Sequence, residues 1–421
     1  MSATAPPQQG RVVVTGMGVV TPLGIGVAPT WEGLLAGRNG IARIQGFDPE
    51  AYGSQMAGEV REFDPVDFIE RKQVSRTARF TQFALAATME AMEQSGLTID
   101  DSNRFEVGVV VGSGIGGLKV TEDASYVLRD RGPRRLSPFT VPMILSDIAA
   151  GEISMKLRAC GPNFALVSAC STGAHAIGEA AEIIRRGDAI ACIAGASEAS
   201  VTPLSVGAFV AMRALSQRND DPEHACRPFD KGRDGFVVAE SSGIVVLEDL
   251  EHARRRGVRI LAEVVGYGAT ADAHHVTAPD PSARGATYAM RRALQKAGAR
   301  PEDVGYINAH GTSTGLNDAA ETLAIKQALG EECAHRIPIS STKSMTGHSL
   351  GGAGAIESVF SIMAIVDGRV PPTINYEEPD PACDLDYITG GARRVDPQLV
   401  LNNSFGFGGH NACLAFRKYS E

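Results

Sequence analysis

The sequence predicts an α/β fold in which one unit occurs twice. Three observations carry this expectation. Short apolar runs bounded by glycine are continuous rather than alternating, as expected of strands buried on both faces. Amphipathic helical periods lie between them. A helix–turn–strand pattern recurs at about half-chain spacing.

In chain order, the apolar runs are Val12 to Val14, Val107 to Val111, Ala189 to Ala194, Ile244 to Leu247 and Ala262 to Val265. Phe80, Phe83, Ala84, Ala87 and Ala91 follow the helical period, as do Ile177, Ala180, Ala181 and Ile184, and Met290, Ala293, Leu294 and Ala297. Met92 to Gly96 leads through an acidic turn to the run at Val107. Leu294 to Gly298 leads through Pro301-Glu302-Asp303 to Val304 in the same way. A second echo pairs Cys170-Ser171-Thr172-Gly173 with Ser344-Met345-Thr346-Gly347, each ahead of a helix. The charged stretch Glu251 to Gly257 marks the joint. This divides the chain into a loose tail (1–10), an N-terminal half (11–255) and a C-terminal half (256–421). No Pro/Ser-rich linker separates the halves, so a shared interface is expected.

Composition excludes several classes. Of the 421 residues, 43% are hydrophobic and 21% charged, so a disordered or fibrous chain is ruled out. The net charge of −9 gives no overall basic footprint for nucleic acid. No apolar run approaches the ~20 residues of a membrane span, and residues 1–10 lack the apolar core of a signal peptide. A cytoplasmic protein with reduced thiols and no membrane insertion is therefore expected. The seven cysteines form no CxxC or CxxH pair, which argues against a zinc or redox motif. Glycine is in excess at 47 residues, against the usual ~7%. Thirteen of the 47 fall in 112–117, 173, 311, 347–354 and 406–409, so the excess is attributed to loops that admit a substrate to the backbone.

One cysteine is placed for chemistry. In Ser168-Ala169-Cys170-Ser171-Thr172-Gly173 an apolar stretch precedes Cys170 and an amphipathic helix follows it. Unpaired N–H groups at a helix N-terminus favour a thiolate; the alternative is a buried inert thiol. Asn308-Ala309-His310-Gly311-Thr312-Ser313-Thr314 puts a histidine just past an apolar strand, where α/β sheets bind ligands. Thr312 and Thr314 suit either a polar ligand arm or the cap of a helix at 319–329. Lys343 and His348 again lie between a short strand and a helix. A thiol with two imidazoles suggests acyl chemistry: a thioester on sulfur, and N–H donors stabilising an enolate. In Asn403 to Gly409, two phenylalanines between glycines leave backbone N–H groups open, as an oxyanion hole needs; an ordinary glycine turn is the alternative. Gly112 to Gly117 formally matches GxGxxG, but Asp130 does not end an apolar strand, so a dinucleotide fold is disfavoured.

Together these motifs resemble the β-ketoacyl-acyl-carrier-protein synthases, the elongating condensing enzymes of the thiolase superfamily. The resemblance runs from Arg11 to Tyr419 and looks closest to the synthase II type. It also takes in Arg227-Pro228-Phe229-Asp230, Arg233-Asp234-Gly235-Phe236 and Val370 to Asn375. It implies a five-layered αβαβα thiolase-like fold with duplicated halves, a homodimer, and decarboxylative Claisen condensation of malonyl-carrier protein with an acyl group on Cys170. It implies that His310 and His348 hold the malonyl carbonyl. Lys343 with Glu321 as partner would organise them, and Phe407 would share the oxyanion hole with Cys170 and gate access to the sulfur. Thr312 and Thr314 would meet the phosphopantetheine arm, Ile115 the acyl tail, and Phe405 and Gly408 would complete the substrate wall. No cofactor is required for the chemistry, although a monovalent-cation position maps to Asn308, Glu357 and Asn402. The implied partner is acyl carrier protein; Arg71, Lys72 and Arg76 form a basic cluster that suits an acidic carrier, with an ordinary solvated face as the alternative. The chain departs from the pattern at Gly315 and Asn317, where proline and glycine are usual. A polyketide ketosynthase, a non-catalytic carrier-binding subunit and a dinucleotide oxidoreductase are the alternatives.

Overall fold

The computed structural model describes residues 10–420, so the loose tail expected at 1–10 lies, apart from Gly10, outside the described residues. Ten strands form the main path of one sheet: β1 Val12–Thr21, β2 Val107–Gly112, β3 Asn163–Phe164, β4 Ala191–Ala199, β5 Glu240–Asp249, β6 Ala262–Ala271, β7 Tyr306–Asn308, β8 Ile339–Ser340, β9 Leu399–Gly406 and β10 His410–Arg417. Their order is β3-β2-β4-β5-β1-β6-β10-β9-β7-β8, with Gly24–Ile25 paired to the side of β1. The two sets of five have the same internal order. In each, the first three strands (β3-β2-β4 and β8-β7-β9) are mutually parallel and the next two pairings are antiparallel. Among the described residues, the two sets are joined as one sheet where Val13 and Val14 pair with Glu263 and Ala262.

Six helices cover the sheet: α1 Arg79–Ser95, α2 Ile148–Leu157, α3 Thr172–Arg186, α4 Arg284–Ala297, α5 Gly315–Leu329 and α6 Ala353–Asp367. Phe80, Phe83 and Ala87 of α1 and Ile153 of α2 pack on Val109 outside the first set. Met290 and Leu294 of α4 and Ile325 of α5 pack on Ile307 and Leu401 outside the second. Ile177 and Ala181 of α3 and Ile356 and Phe360 of α6 fill the space between the sets. The layers are therefore α, β, α, β, α, the thiolase-like arrangement. One segment, Leu350–Asp367, is long and apolar enough to cross a membrane by composition, but 83% of it is buried here as the central layer.

Close backbone approach ties the layers. A Cβ on Gly16 or Gly18 of β1 would strike the carbonyl oxygens of Ala91 or Ala87 in α1. A Cβ on Gly266 or Gly268 of β6 would strike those of Ala293 or Ala289 in α4. At the centre, Gly173 abuts Ala355, and Gly354 abuts Ala174. The second echo in the sequence is thereby corrected. The counterpart of the turn Ala169–Ser171 is Leu350–Gly352, not Ser344 to Gly347. Each turn directly precedes its central helix, and each opens on a non-glycine residue in the left-handed region, Ala169 at φ 50° and Leu350 at φ 47°. Cys170 thus corresponds to Gly351.

Candidate active site

The candidate residues converge at the carboxyl ends of the strands. Cys170 sits on the one-turn helix ahead of α3, and His310 follows β7. Lys343 opens the short helix Lys343–Thr346 after β8, with His348 two residues beyond its end. A cavity of about 640 Å³ is lined by Cys170, His310, His348, Thr312, Thr314, Glu321, Ile115, Phe405 and Phe407. Gly408 is not part of its wall. It is exposed at φ 87°, and its N–H donates to the Val276 carbonyl, which corrects its assignment as a substrate contact.

The turn bearing Cys170 is held from both halves. The Ser404 hydroxyl donates to the Cys170 carbonyl (3.0 Å), and the Ser171 hydroxyl lies 2.9 Å from the carbonyls of Ser404 and His410. The Thr172 hydroxyl donates to the Ala169 carbonyl (2.8 Å) and accepts the Ser168 N–H (2.9 Å). These bonds hold Ala169 in a conformation that costs a non-glycine residue about 1–2 kcal/mol. Burial pushes the Cys170 thiol up to about 12, opposed by the Lys343 charge and by the N–H groups of Phe407 and Cys170. Burial thus opposes the thiolate that the helix N-terminus favours.

The two imidazoles lie with ring centroids 5.3 Å apart and planes at 86°. Burial holds both pKa values well below the usual histidine range, and Lys343 adds to this in each case. Both rings are thus neutral. Lys343 Nζ lies 3.4 Å from His310 Nδ1. An ammonium can only donate there, so the His310 proton belongs on Nε2, the nitrogen left to face the cavity. His348 Nδ1 has no partner among the described residues. A bare lone pair is the less costly state for such an atom, which again places the proton on Nε2.

Lys343 does not pair with Glu321. Its Nζ lies 2.5 Å from Glu357 Oε1, with both side chains about 1% exposed, so the expected partner is corrected to Glu357 on α6. Glu321 instead accepts the backbone N–H groups of His310 (2.9 Å) and Gly311 (2.8 Å) and the amide of Asn403 (3.1 Å). It shapes the loop that carries the imidazole. Burial raises both carboxyls to about 7.

Three buried oxygens stand close by without partners among the described residues: Asn308 Oδ1, Asn402 Oδ1 and Glu357 Oε2. Asn308 and Asn402 are register partners on the parallel strands β7 and β9, and α6 packs over them. One carboxylate and two amide oxygens make a hard, singly charged donor set that fits a monovalent cation.

Two residues were missed in the sequence. Glu198, at the end of β4, accepts the N–H groups of Gly114 (2.8 Å) and Gly351 (3.2 Å) and so ties the Ile115 loop to the turn after His348; burial raises it to about 6. Asp318 accepts the Thr312 N–H (3.0 Å). Buried acids of this kind leave no pattern in a single sequence. Thr312 and Thr314 hydroxyls lie 3.0 Å apart, and Thr314 also caps α5 by accepting the Asn317 N–H (3.3 Å). Its two suggested roles are compatible. Asp130 is exposed and paired to Arg129, so nothing supports a dinucleotide site there.

Comparison with known proteins places this geometry in a class. Residues 9–253 match the β-ketoacyl synthase N-terminal domain, and 261–377 the C-terminal domain. The chain belongs to the β-ketoacyl synthase family. It is 53% identical, over 97% of its length and 98% of the relative's, to a 3-oxoacyl-[acyl-carrier-protein] synthase 2 of Synechocystis sp.. A protein of the same name from Staphylococcus aureus is 50% identical over 98% of this chain and 99% of the relative. Among solved structures, a β-ketoacyl synthase of Burkholderia phymatum is 36% identical with a TM-score of 0.90, covering 98% of this chain and all of that one. A type II polyketide ketosynthase in complex with its acyl-carrier protein is 37% identical, also at 0.90, with the same coverage.

Proposed function

We propose that the protein is an elongating 3-oxoacyl-[acyl-carrier-protein] synthase of type II fatty-acid synthesis. The observation that carries this is the convergence of one thiol and two neutral, Nε2-protonated imidazoles on a single cavity. Acyl carrier protein delivers an acyl thioester. Cys170 attacks it, losing its proton as the carrier thiol leaves, and the N–H groups of Cys170 and Phe407 hold the developing oxyanion. The acyl tail runs past Ile115. Malonyl-carrier protein then enters, with its pantetheine arm against Thr312 and Thr314. His310 and His348 donate to the malonyl thioester carbonyl. The carboxylate leaves as carbon dioxide, and its electron pair becomes the enolate held by those two donors. The enolate carbon attacks the Cys170 thioester, a carbon–carbon bond forms, and the cysteine sulfur is released. Neutral imidazoles suit this step because they stabilise the enolate without protonating it.

Identity of 50–53% over nearly the whole chain to synthases of that name favours fatty-acid elongation over the polyketide reading. The test is an in vitro elongation series. Carrier-bound acyl chains and malonyl-carrier protein should yield 3-oxoacyl products lengthened by one two-carbon unit; repeated extension on one chain would instead indicate the polyketide reading.

The protein is also read as a cytoplasmic homodimer. The edge strand β3 and its surroundings expose Val141, Leu145, Met155, Phe164 and Val167, an apolar edge that a second copy would cover. Light scattering should give twice the chain mass. Asn308, Glu357 and Asn402 are the residues that would hold a monovalent cation, which would give their three unpartnered oxygens a ligand. Exchanging potassium for tetramethylammonium should then lower the melting temperature. Arg71, Lys72 and Arg76 are exposed and suit an acidic carrier surface; Lys72 also meets Glu70 in an exposed ion pair.

A further inference from the structure

The motif Arg227 to Phe236 takes no part in the chemistry above, yet it wraps the loop that carries Thr312 and Thr314. The Arg227 N–H donates to the Ser313 hydroxyl (2.9 Å), and the Gly235 N–H to the Ser313 carbonyl (3.1 Å). Arg233 has only 5% of its side chain exposed. Its Nε donates to the Thr314 carbonyl (3.1 Å) and Nη2 to that of Gly315 (3.3 Å). Its Nη1 is anchored by the Asp230 carbonyl (2.7 Å) and Asp380 (2.6 Å). The guanidinium also lies 3.7 Å from fully buried Asp318, whose other oxygen takes the Thr312 N–H. Between the threonines, Ser313 is held at φ 68°, a conformation that persists only when its surroundings enforce it.

We infer that Arg233 is a positioning residue for substrate recognition. Its planar fork holds the Thr312–Gly315 loop in the shape that turns both hydroxyls into the cavity, and so it sets affinity for an amide-bearing thioester arm rather than the rate of acyl transfer. Lysine could not replace it, because one ammonium cannot span two loop carbonyls, the Asp230 carbonyl and Asp380. Asn317 strengthens the same device: its side chain donates to Asp318 (3.1 Å). The inference rests on the reading that Thr312 and Thr314 hold the arm.

The test follows acylation of Cys170 by intact mass with two donors. One is an acyl phosphopantetheine thioester. The other is the acyl thioester of ethanethiol, which has no amide to meet the threonines. Arg233→Lys should raise KM for the first donor about five- to tenfold with little change in kcat, and leave both constants for the second within about twofold. Asn317→Gly, a milder change, should raise KM for the first donor alone by about twofold. Equal losses on both donors, or no change on either in both variants, would overturn the inference. A Thr312→Ala/Thr314→Ala protein separates the two layers. If its KM for the phosphopantetheine donor is normal, the reading of the threonines fails. If its KM is raised while both Arg233→Lys and Asn317→Gly behave as wild type, only the role of Arg233 fails.

Discussion

Replacing Glu357 by glutamine should destabilise the protein more than any surface change, because Lys343 would keep a buried charge with no carboxylate facing it. The pair is about 1% exposed on both sides, with Nζ 2.5 Å from Oε1. Removing one member of such a pair costs about 3–5 kcal/mol. At about 2.1 cal/mol/K per residue, a chain of 421 residues has an unfolding entropy near 0.9 kcal/mol/K, so the melting temperature should fall by about 3–6 °C. The Lys343→Met/Glu357→Gln double variant leaves no unpaired charge. It should recover most of that loss, giving a coupling energy of about 2 kcal/mol or more in the cycle. Scanning calorimetry of wild type, both single variants and the double variant measures this directly. Decarboxylation of malonyl-carrier protein should be impaired in all three variants, since each disturbs the ammonium that fixes the His310 tautomer. If the double variant melts at the sum of the single losses, Lys343 and Glu357 do not act as a pair and the reasoning fails.

Three further outcomes follow from the geometry. Gly18→Ala, and equally Gly268→Ala, should lower stability by about 1–3 kcal/mol in calorimetry, since the new methyl collides with a helix carbonyl that cannot move alone. Because the Cys170 thiol is pushed up to about 12, its reactive thiolate fraction should grow about tenfold per pH unit. Alkylation of Cys170 by a small neutral reagent, read by peptide mass, should therefore climb without levelling below about pH 9. A plateau near neutrality would mean a preformed thiolate. His310, His348 and His175 are held below the ordinary histidine value, His175 at about 4. Their contribution to stability is present above about pH 6.5 and is lost as pH falls through the folded values, so melting points should drop on acidification from pH 6.5 towards 4.

Much of the fold was legible because burial periodicity is local. The α1 face Phe80, Phe83, Ala84, Ala87 and Ala91 is buried as its spacing predicts. The glycine excess was only partly explained by loops. Thr15-Gly16-Met17-Gly18 and Val265-Gly266-Tyr267-Gly268 put paired glycines inside strands, where an outer helix lies against the backbone. That role depends on which helix crosses which strand, a long-range fact. The thiol and both histidines stand in recognisable turns, and the structure brings them to one cavity. The partner of Lys343 was not legible. Glu321 and Glu357 are both buried acids on helices, and only the fold puts one on the His310 backbone and the other on the ammonium. The burial that raises the Cys170 thiol was not legible for the same reason: a helix N-terminus is visible in sequence, whereas enclosure of the sulfur is not.

The central claim is that sulfur carries the acyl group while the imidazole pair generates the enolate. It is tested most directly by following both half-reactions in one vessel, with a carrier-bound acyl chain, carboxyl-labelled malonyl-carrier protein and the His310→Ala/His348→Ala variant. The account predicts that this variant still forms the acyl-enzyme on Cys170, yet releases labelled carbon dioxide and 3-oxoacyl product at least about a hundredfold more slowly than wild type. Release of carbon dioxide at the wild-type rate from the variant would contradict it.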